Sequence, residues 1–202
     1  MREPWVHLGR LWTNGDPFLA VDASLRDAWR GFSGDQYDEV VDLGPETTGI
    51  PVGAGRAVLI GADGVVRDDS WMEVFQADDG AIAVVQASGP DYPRVLTDAL
   101  RYPDADDEDG DPLIVHSGEL ALFSAACDGT GPHSQPLAPA RPGSVPSSHG
   151  RPSRDGDPGL MLTTTCTTFA FKVRWHTLLD DENCFARWLL IPHEPRDQPT
   201  PE

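Results

Sequence analysis

FAFKVRWH, residues 169–176, and CFARWLLI, residues 184–191, are the two stretches of this sequence that decide its fold. In the first stretch, large apolar residues alternate strictly with small or polar ones. This period of two predicts a β-strand with one buried face and one cationic or polar face. The polar break DDEN, residues 180–183, predicts a turn, and the second stretch predicts the returning strand. We therefore expect a β-hairpin near the end of the chain.

Outward from this hairpin, apolar segments separated by turn-forming residues predict further strands. One such break is Gly53-Ala54-Gly55, where glycine permits the positive φ that a chain reversal needs. The expected strands cover residues 17–21, 40–41, 50–52, 57–60, 71–75, 81–86, 113–115 and 119–123.

Two short helices are expected beside these strands. Asp22 is placed to cap the first helix, Trp29 lies on its apolar face, and Gly31 ends it. The second helix lies within DYPRVLTDAL, residues 91–100, where Pro93 stands near the start. The predicted fold class is therefore α+β and β-rich, with antiparallel sheets or meanders and two short helices.

The acidic block DADDEDGD, residues 104–111, carries six acids in eight positions and predicts a linker or exposed loop between two halves. Residues 1–103 would form an N-terminal β-rich subdomain, and residues 112–195 a C-terminal one. Within the second half, residues 129–159 have almost no apolar anchors, so we expect them to be disordered. The chain would end in a polar tail over residues 196–202.

The charge balance limits the possible partners. Thirty-three acidic residues against fifteen basic ones give a net charge of −18. Such a surface repels phosphate backbones and anionic lipids, so nucleic acid and membranes are not expected partners. High charge also serves solubility alone, but it suits electrostatic steering towards a basic protein. The sequence shows no signal peptide and no apolar run of membrane-spanning length, so we expect a cytoplasmic protein.

No motif predicts catalysis, a cofactor or a metal. The glycine cluster at residues 53–55 lies between two expected strands and lacks the Lys-Ser/Thr of a phosphate-binding loop. The six histidines have no ligand spacing, and Cys166 has no activating cation beside it. Glu73 is the one acid inside an apolar stretch, where an acid–base role stays open. An outward-facing strand position is the favoured interpretation of Glu73, and we do not expect an enzyme.

Several of these stretches, in this order, resemble immunity protein family 21 of bacterial polymorphic toxin systems. The family begins with an apolar run followed by Leu-x-x-Trp-x-Gly, which is similar to Leu25-x-x-x-Trp29-x-Gly31 here. The resemblance continues through a Gly-x-Gly hairpin and a Trp-containing strand. The matching stretches are NGDPFLAVDASLRDAWRGF (14–32), DQYDEV (35–40), IPVGAGRAVLIGADG (50–64), SWMEVF (70–75), GAIAVVQASG (80–89), SGELALFSAACDG (117–129) and FKVRW (171–175).

The resemblance implies an antitoxin that binds a cognate toxin domain and neutralises it. The charge argument adds that this toxin should be basic. The first candidate contact surface is the acidic block, with Asp104, Asp106, Asp107, Glu108, Asp109 and Asp111. The second candidate comprises Asp35, Asp38 and Glu39. The alternatives are an acidic β-rich binding or scaffold module unrelated to toxins and, third, an enzyme with an unusual site.

Overall fold

Two β-sheets lie face to face in the computed structural model, which describes residues 4–44, 47–61, 69–143, 146 and 157–193. The first half of the chain contributes β1 (Trp5–Thr13), β2 (Phe18–Asp22), a 3₁₀ helix (Ala23–Ala28), α1 (Gln36–Val41), β3 (Gly49–Val52), β4 (Gly55–Ile60), β5 (Ser70–Ala77), β6 (Ile82–Ser88) and α2 (Tyr92–Arg101). The second half contributes β7 (Glu108–Asp109), β8 (Leu113–Ile114), β9 (Glu119–Ser124), β10 (Leu137–Pro139), β11 (Gly159–Thr163), β12 (Thr168–Leu178) and β13 (Cys184–Pro192).

Each sheet combines strands from both halves of the chain. The first sheet has the order β1-β5-β6-β13-β12, and both β7 and β8 pair with β12. The second sheet has the order β10-β11-β9-β2-β4-β3, in which β10 and β11 are parallel and the other pairs antiparallel. The predicted division at residues 104–111 therefore does not separate two β subdomains.

The apolar side chains of the described residues form three clusters, one between the two sheets and one on each outer face, where helices pack. Between the sheets, Val74 and Trp188 of the first pack with Phe18 and Leu122 of the second. On the far side of the first sheet, α2 packs its buried residues against strands that include β6 and β13. The 3₁₀ helix and α1 cover the far side of the second sheet. Central strands are consequently buried on both faces, which explains why β6 and β13 are almost continuously apolar.

The structure confirms the predicted fold class, which is α+β and β-rich. The hairpin predicted from residues 169–191 is present as β12 and β13, and β3 pairs with β4 across a turn in which Gly53 has a φ of +57°. Asp22 caps the first helix as expected, accepting a 2.8 Å hydrogen bond from the backbone N–H of Ser24. That helix is a 3₁₀ helix, and α2 is the second predicted helix.

Three local predictions need correction. Residues 40–41, expected as a strand, end α1 instead, because Val40 is buried on its inner face. Strand β1 was not predicted at all. Within the segment expected to be disordered, residues 137–139 form β10, and Gln135 binds the backbone N–H of Ser124 at 2.8 Å.

Backbone pairing and side-chain hydrogen bonds order that segment where apolar anchors are few. The rest of the prediction, for residues 144–145 and 147–156, lies outside the described residues, as does the predicted tail over residues 196–202.

Trp29 attaches the short helix to the second sheet. Its ring is 2 % exposed, and its Nε1–H donates a 3.0 Å hydrogen bond to the carbonyl oxygen of Ala125. We predict that Trp29→Ala lowers the free energy of unfolding by about 3–5 kcal/mol, because it leaves a large cavity. Urea denaturation measures this loss. Phe32→Ala is the matched control: Phe32 is exposed, so its removal should change stability by less than about 1 kcal/mol.

Asp22 also joins the two halves of the chain. Besides capping the helix, its carboxylate accepts hydrogen bonds from the backbone N–H groups of His116 and Ser117, at 2.5 and 3.0 Å. Burial alone raises the pKa of Asp22, but the hydrogen bonds from Ser117 and Ser24 outweigh burial and hold this pKa well below its usual range.

Because the folded-state pKa of Asp22 is lowered, its stabilising contribution is complete at neutral pH and decreases as the pH falls below about 4. We predict that Asp22→Asn reduces the free energy of unfolding by about 1–3 kcal/mol at pH 7. The gap to the wild-type protein should narrow below pH 4 in urea denaturation series. A gap that stays constant with pH would contradict this role of the carboxylate.

Candidate partner-binding surfaces

The acidic block lies against the cationic face of the predicted hairpin. Glu108 and Asp109 form β7, which pairs with Val173 and Lys172 of β12. Lys172 forms an ion pair with Asp109 at 2.8 Å. Acids of this block thus provide counter-ions for the cationic face of the hairpin. Of the two predicted interpretations, a linker between domains does not fit, because the block pairs with β12, whereas Asp106, Glu108 and Asp109 are exposed as in a loop.

Asp107 is the centre of the block and is buried. Its two carboxylate oxygens accept from Arg174 at 2.5 Å and from Arg187 at 2.7 Å. Arg187 is 1 % exposed and also donates to the carbonyl oxygens of Ala99 and Tyr102, at 2.6 and 2.8 Å. Burial lowers the pKa of Arg187, and Asp107 opposes that shift. This network fastens the end of α2 to the sheet, so Asp107 cannot contact a partner.

The other acids of the block differ in exposure and in partners. Glu108 accepts from the indole N–H of Trp175 at 3.0 Å, and Asp111 pairs with Arg56 at 3.0 Å. Asp104 is half-buried, whereas Asp106 is exposed. Much of the negative charge of this block is thus balanced by cations of the same molecule. The block is a weaker steering surface than its composition indicates.

The second predicted cluster has a different environment. Asp35 has a left-handed backbone conformation just before α1, and Asp38 and Glu39 lie in the first turn. All three side chains are exposed, and no ion pair joins them to another residue in the described parts of the chain. Their charge is therefore directed to solvent.

Two large apolar side chains are exposed in the same segment. Phe32 is 64 % exposed and Val41 is 61 % exposed. The exposure of Val41 is not predicted from the sequence, because the apolar pair at residues 40–41 resembles a short strand. Tyr37 and Val40 are three residues apart, which places them on one face of a helix, and both are at least half-buried. This spacing indicates a helix in which Val41 faces solvent. We refer to Phe32, Asp35, Asp38, Glu39 and Val41 together as the α1 face.

Hydrogen bonds hold the α1 face in place. The Asp128 carboxylate accepts from the backbone N–H groups of Phe32 and Ser33, at 3.0 and 2.9 Å. The Phe32 ring stacks on His133 with a centroid distance of 4.3 Å. Beneath the helix, the Tyr37 hydroxyl donates to Asp16; burial and this carboxylate raise the pKa of Tyr37 to about 12. A surface fixed in this way loses little conformational entropy when a partner binds.

Glu73 is not outward-facing, contrary to the favoured interpretation of the sequence. Its side chain is fully buried between β1 and α2, where it accepts from Arg10 at 2.6 Å and from the Tyr92 hydroxyl at 3.0 Å. His7 Nε2 lies 2.6 Å from its other oxygen. Burial and the Glu73 charge raise the pKa of Tyr92, so this hydroxyl stays protonated. The Glu73 carboxylate has several internal partners and is closed to solvent, which suits a structural role.

The described residues contain no group of three or more His, Cys, Asp or Glu side chains placed to hold a metal ion. None of their helices combines the length and apolar character needed to cross a membrane. No protein-family model, curated protein or solved structure matches this chain. The fold and these surfaces define a β-rich protein in which the α1 face combines exposed acids with exposed apolar side chains.

Removing the charge of Asp107 leaves Arg187 buried without its counter-ion. We predict that Asp107→Asn lowers the free energy of unfolding by about 3–5 kcal/mol. Asp106→Asn removes the same charge from a neighbouring exposed position and should change stability by less than about 0.5 kcal/mol. Both values come from urea denaturation. Equal, small effects of the two substitutions would contradict the structural role of Asp107.

Proposed function

We propose that this chain is an immunity protein that binds a basic bacterial toxin domain in the cytoplasm and neutralises it through the α1 face. The observation that carries the proposal is the exposure of Phe32 and Val41 beside three carboxylates that no described cation balances. The resemblance of the sequence to an immunity protein family indicates a toxin domain as the partner. The net charge of −18 indicates that this partner is positively charged.

The composition of the α1 face suits a protein interface. Binding energy at interfaces is concentrated in a few residues, with aromatic side chains enriched among them, and Phe32 would provide such an anchor. Surrounding carboxylates raise the association rate with a basic surface and disfavour acidic partners. A toxin must be captured quickly to prevent damage, so fast association is the property that an antitoxin needs.

An acidic β-rich binding module unrelated to toxins would use the same face, so the structure alone favours neither partner. Co-expression separates the two. The proposal expects a toxin domain to be encoded next to this chain. Expressed alone, that domain should arrest growth, and co-expression of the chain should restore growth. Rescue together with a purified complex supports the immunity function. Absence of both rescue and complex contradicts it.

The contribution of the α1 face is measured by its association kinetics. We predict that the triple variant D35N/D38N/E39Q reduces the association rate with the purified toxin domain by about tenfold at low salt and flattens its salt dependence. The control E119Q/D181N/E182Q removes three exposed charges elsewhere, so it has the same net charge. Equal slowing by the two variants would show that total charge acts, not the α1 face.

Phe32→Ala tests the anchor. Loss of a central aromatic contact costs about 2 kcal/mol or more, so the dissociation rate should rise by about 30-fold or more while the association rate changes little. Surface plasmon resonance separates the two rates. An unchanged dissociation rate would remove Phe32 from the interface.

A further inference from the structure

A loop from the second half of the chain packs against the start of the α1 face. This loop covers residues 128–134, and the backbone N–H of Gly129 donates a 3.0 Å hydrogen bond to the carbonyl oxygen of Trp29. A Cβ added to Gly129 would overlap the carbonyl oxygen of Arg26, so a larger residue would push the loop away. The loop is therefore a fixed neighbour of the segment that carries Phe32.

Asp128 fixes the backbone beneath both rings of the Phe32–His133 stack. Its carboxylate accepts from the backbone N–H groups of Phe32 and Ser33, and its own backbone N–H donates to the carbonyl oxygen of His133 at 3.1 Å. The two stacked residues are exposed, whereas Asp128 is only 2 % exposed. Asp128 can thus control the position of both rings without presenting its own side chain to a partner.

A charged acceptor restrains this part of the α1 face. Phe32 is 64 % exposed, so apolar packing restrains its ring only weakly. The hydrogen bonds from the backbone, first that from Ser33, lower the pKa of Asp128, so its carboxylate is ionised at neutral pH. Hydrogen bonds to an ionised acceptor are about twice as strong as those between neutral groups. Removal of this acceptor should therefore free the segment that carries Phe32.

We propose that Asp128 is a positioning residue for toxin binding, which holds Phe32 in the orientation that contacts the toxin domain without touching the toxin itself. This inference rests on the proposed function of the α1 face. A partner binds only the fraction of molecules in which Phe32 is correctly oriented. Loss of the positioning therefore lowers the association rate and leaves the dissociation rate nearly unchanged. Loss of the Phe32 contact itself raises the dissociation rate.

Asp128→Asn and Asp128→Ala separate the hydrogen bonds from the charge, because asparagine keeps an oxygen acceptor and alanine has none. In the free full-length chain, NMR measures hydrogen exchange of the Phe32 and Ser33 amides. Exchange should be at least about tenfold faster in Asp128→Ala than in the wild-type protein, and about threefold faster in Asp128→Asn. The conservative Asn variant keeps the test valid if the Ala variant does not fold. Unchanged exchange overturns the proposal, and this result needs no toxin.

Surface plasmon resonance with the purified toxin domain gives the two binding rates. Asp128→Ala should slow association by about tenfold and Asp128→Asn by about threefold. Both are compared with Glu119→Gln, which removes one exposed charge elsewhere and so controls for electrostatic steering. In a Phe32→Ala background, Asp128→Ala should change the Kd by less than about twofold, because no ring is left to position.

The outcomes that contradict the positioning role are distinct from failure of the proposed function. Equal association rates for the two Asp128 variants and Glu119→Gln overturn the positioning role. A full effect of Asp128→Ala in the absence of the Phe32 ring does so as well, as does a raised dissociation rate at an unchanged association rate. No binding by the wild-type chain contradicts the proposed function together with this inference.

Discussion

Arg187 is a fully buried cation in the middle of an apolar strand, and its neutralisation by Asp107 organises much of the molecule. A buried guanidinium is strongly destabilising unless a counter-ion and further acceptors surround it. Asp107 supplies the charge, and the carbonyl oxygens at the end of α2 supply the acceptors. The helix, the acidic block and the centre of the first sheet are thereby fixed to one another. Asp107 of the acidic block is thus an internal part of the fold, whereas Asp106, Glu108 and Asp109 stay exposed.

This arrangement changes which acids are available to a partner. Composition alone pointed to the acidic block, because six of its eight residues carry negative charge. In the folded protein, Lys172, Arg174, Arg187 and Arg56 balance several of those charges. Asp35, Asp38 and Glu39 have fewer acids nearby in the sequence, yet they face solvent beside exposed apolar groups. Exposure and pairing, more than local charge density, decide where an acidic protein can attract a basic one.

The sequence predicted the features that depend on local patterns. The period of two in residues 169–176 predicted the central hairpin, and the position of Asp22 predicted a helix start. Strand β1 was missed because a register shift between His7 and Gly9 interrupts its alternation. Val40 and Val41 are β-branched, but burial of one side of α1 overrides their strand preference. Asp107 is buried because it pairs with Arg187, which lies eighty positions later in the chain. No local sequence pattern predicts such a contact. The lone arginine in CFARWLLI was the one available signal.

The central claim of the proposed function is that the α1 face, and not the acidic block, binds the toxin domain. Hydrogen–deuterium exchange of the chain, alone and saturated with the toxin domain, tests it without any substitution. The account predicts slower exchange on binding for amides in residues 32–43 and unchanged exchange for residues 104–111. Slower exchange confined to residues 104–111 would contradict it.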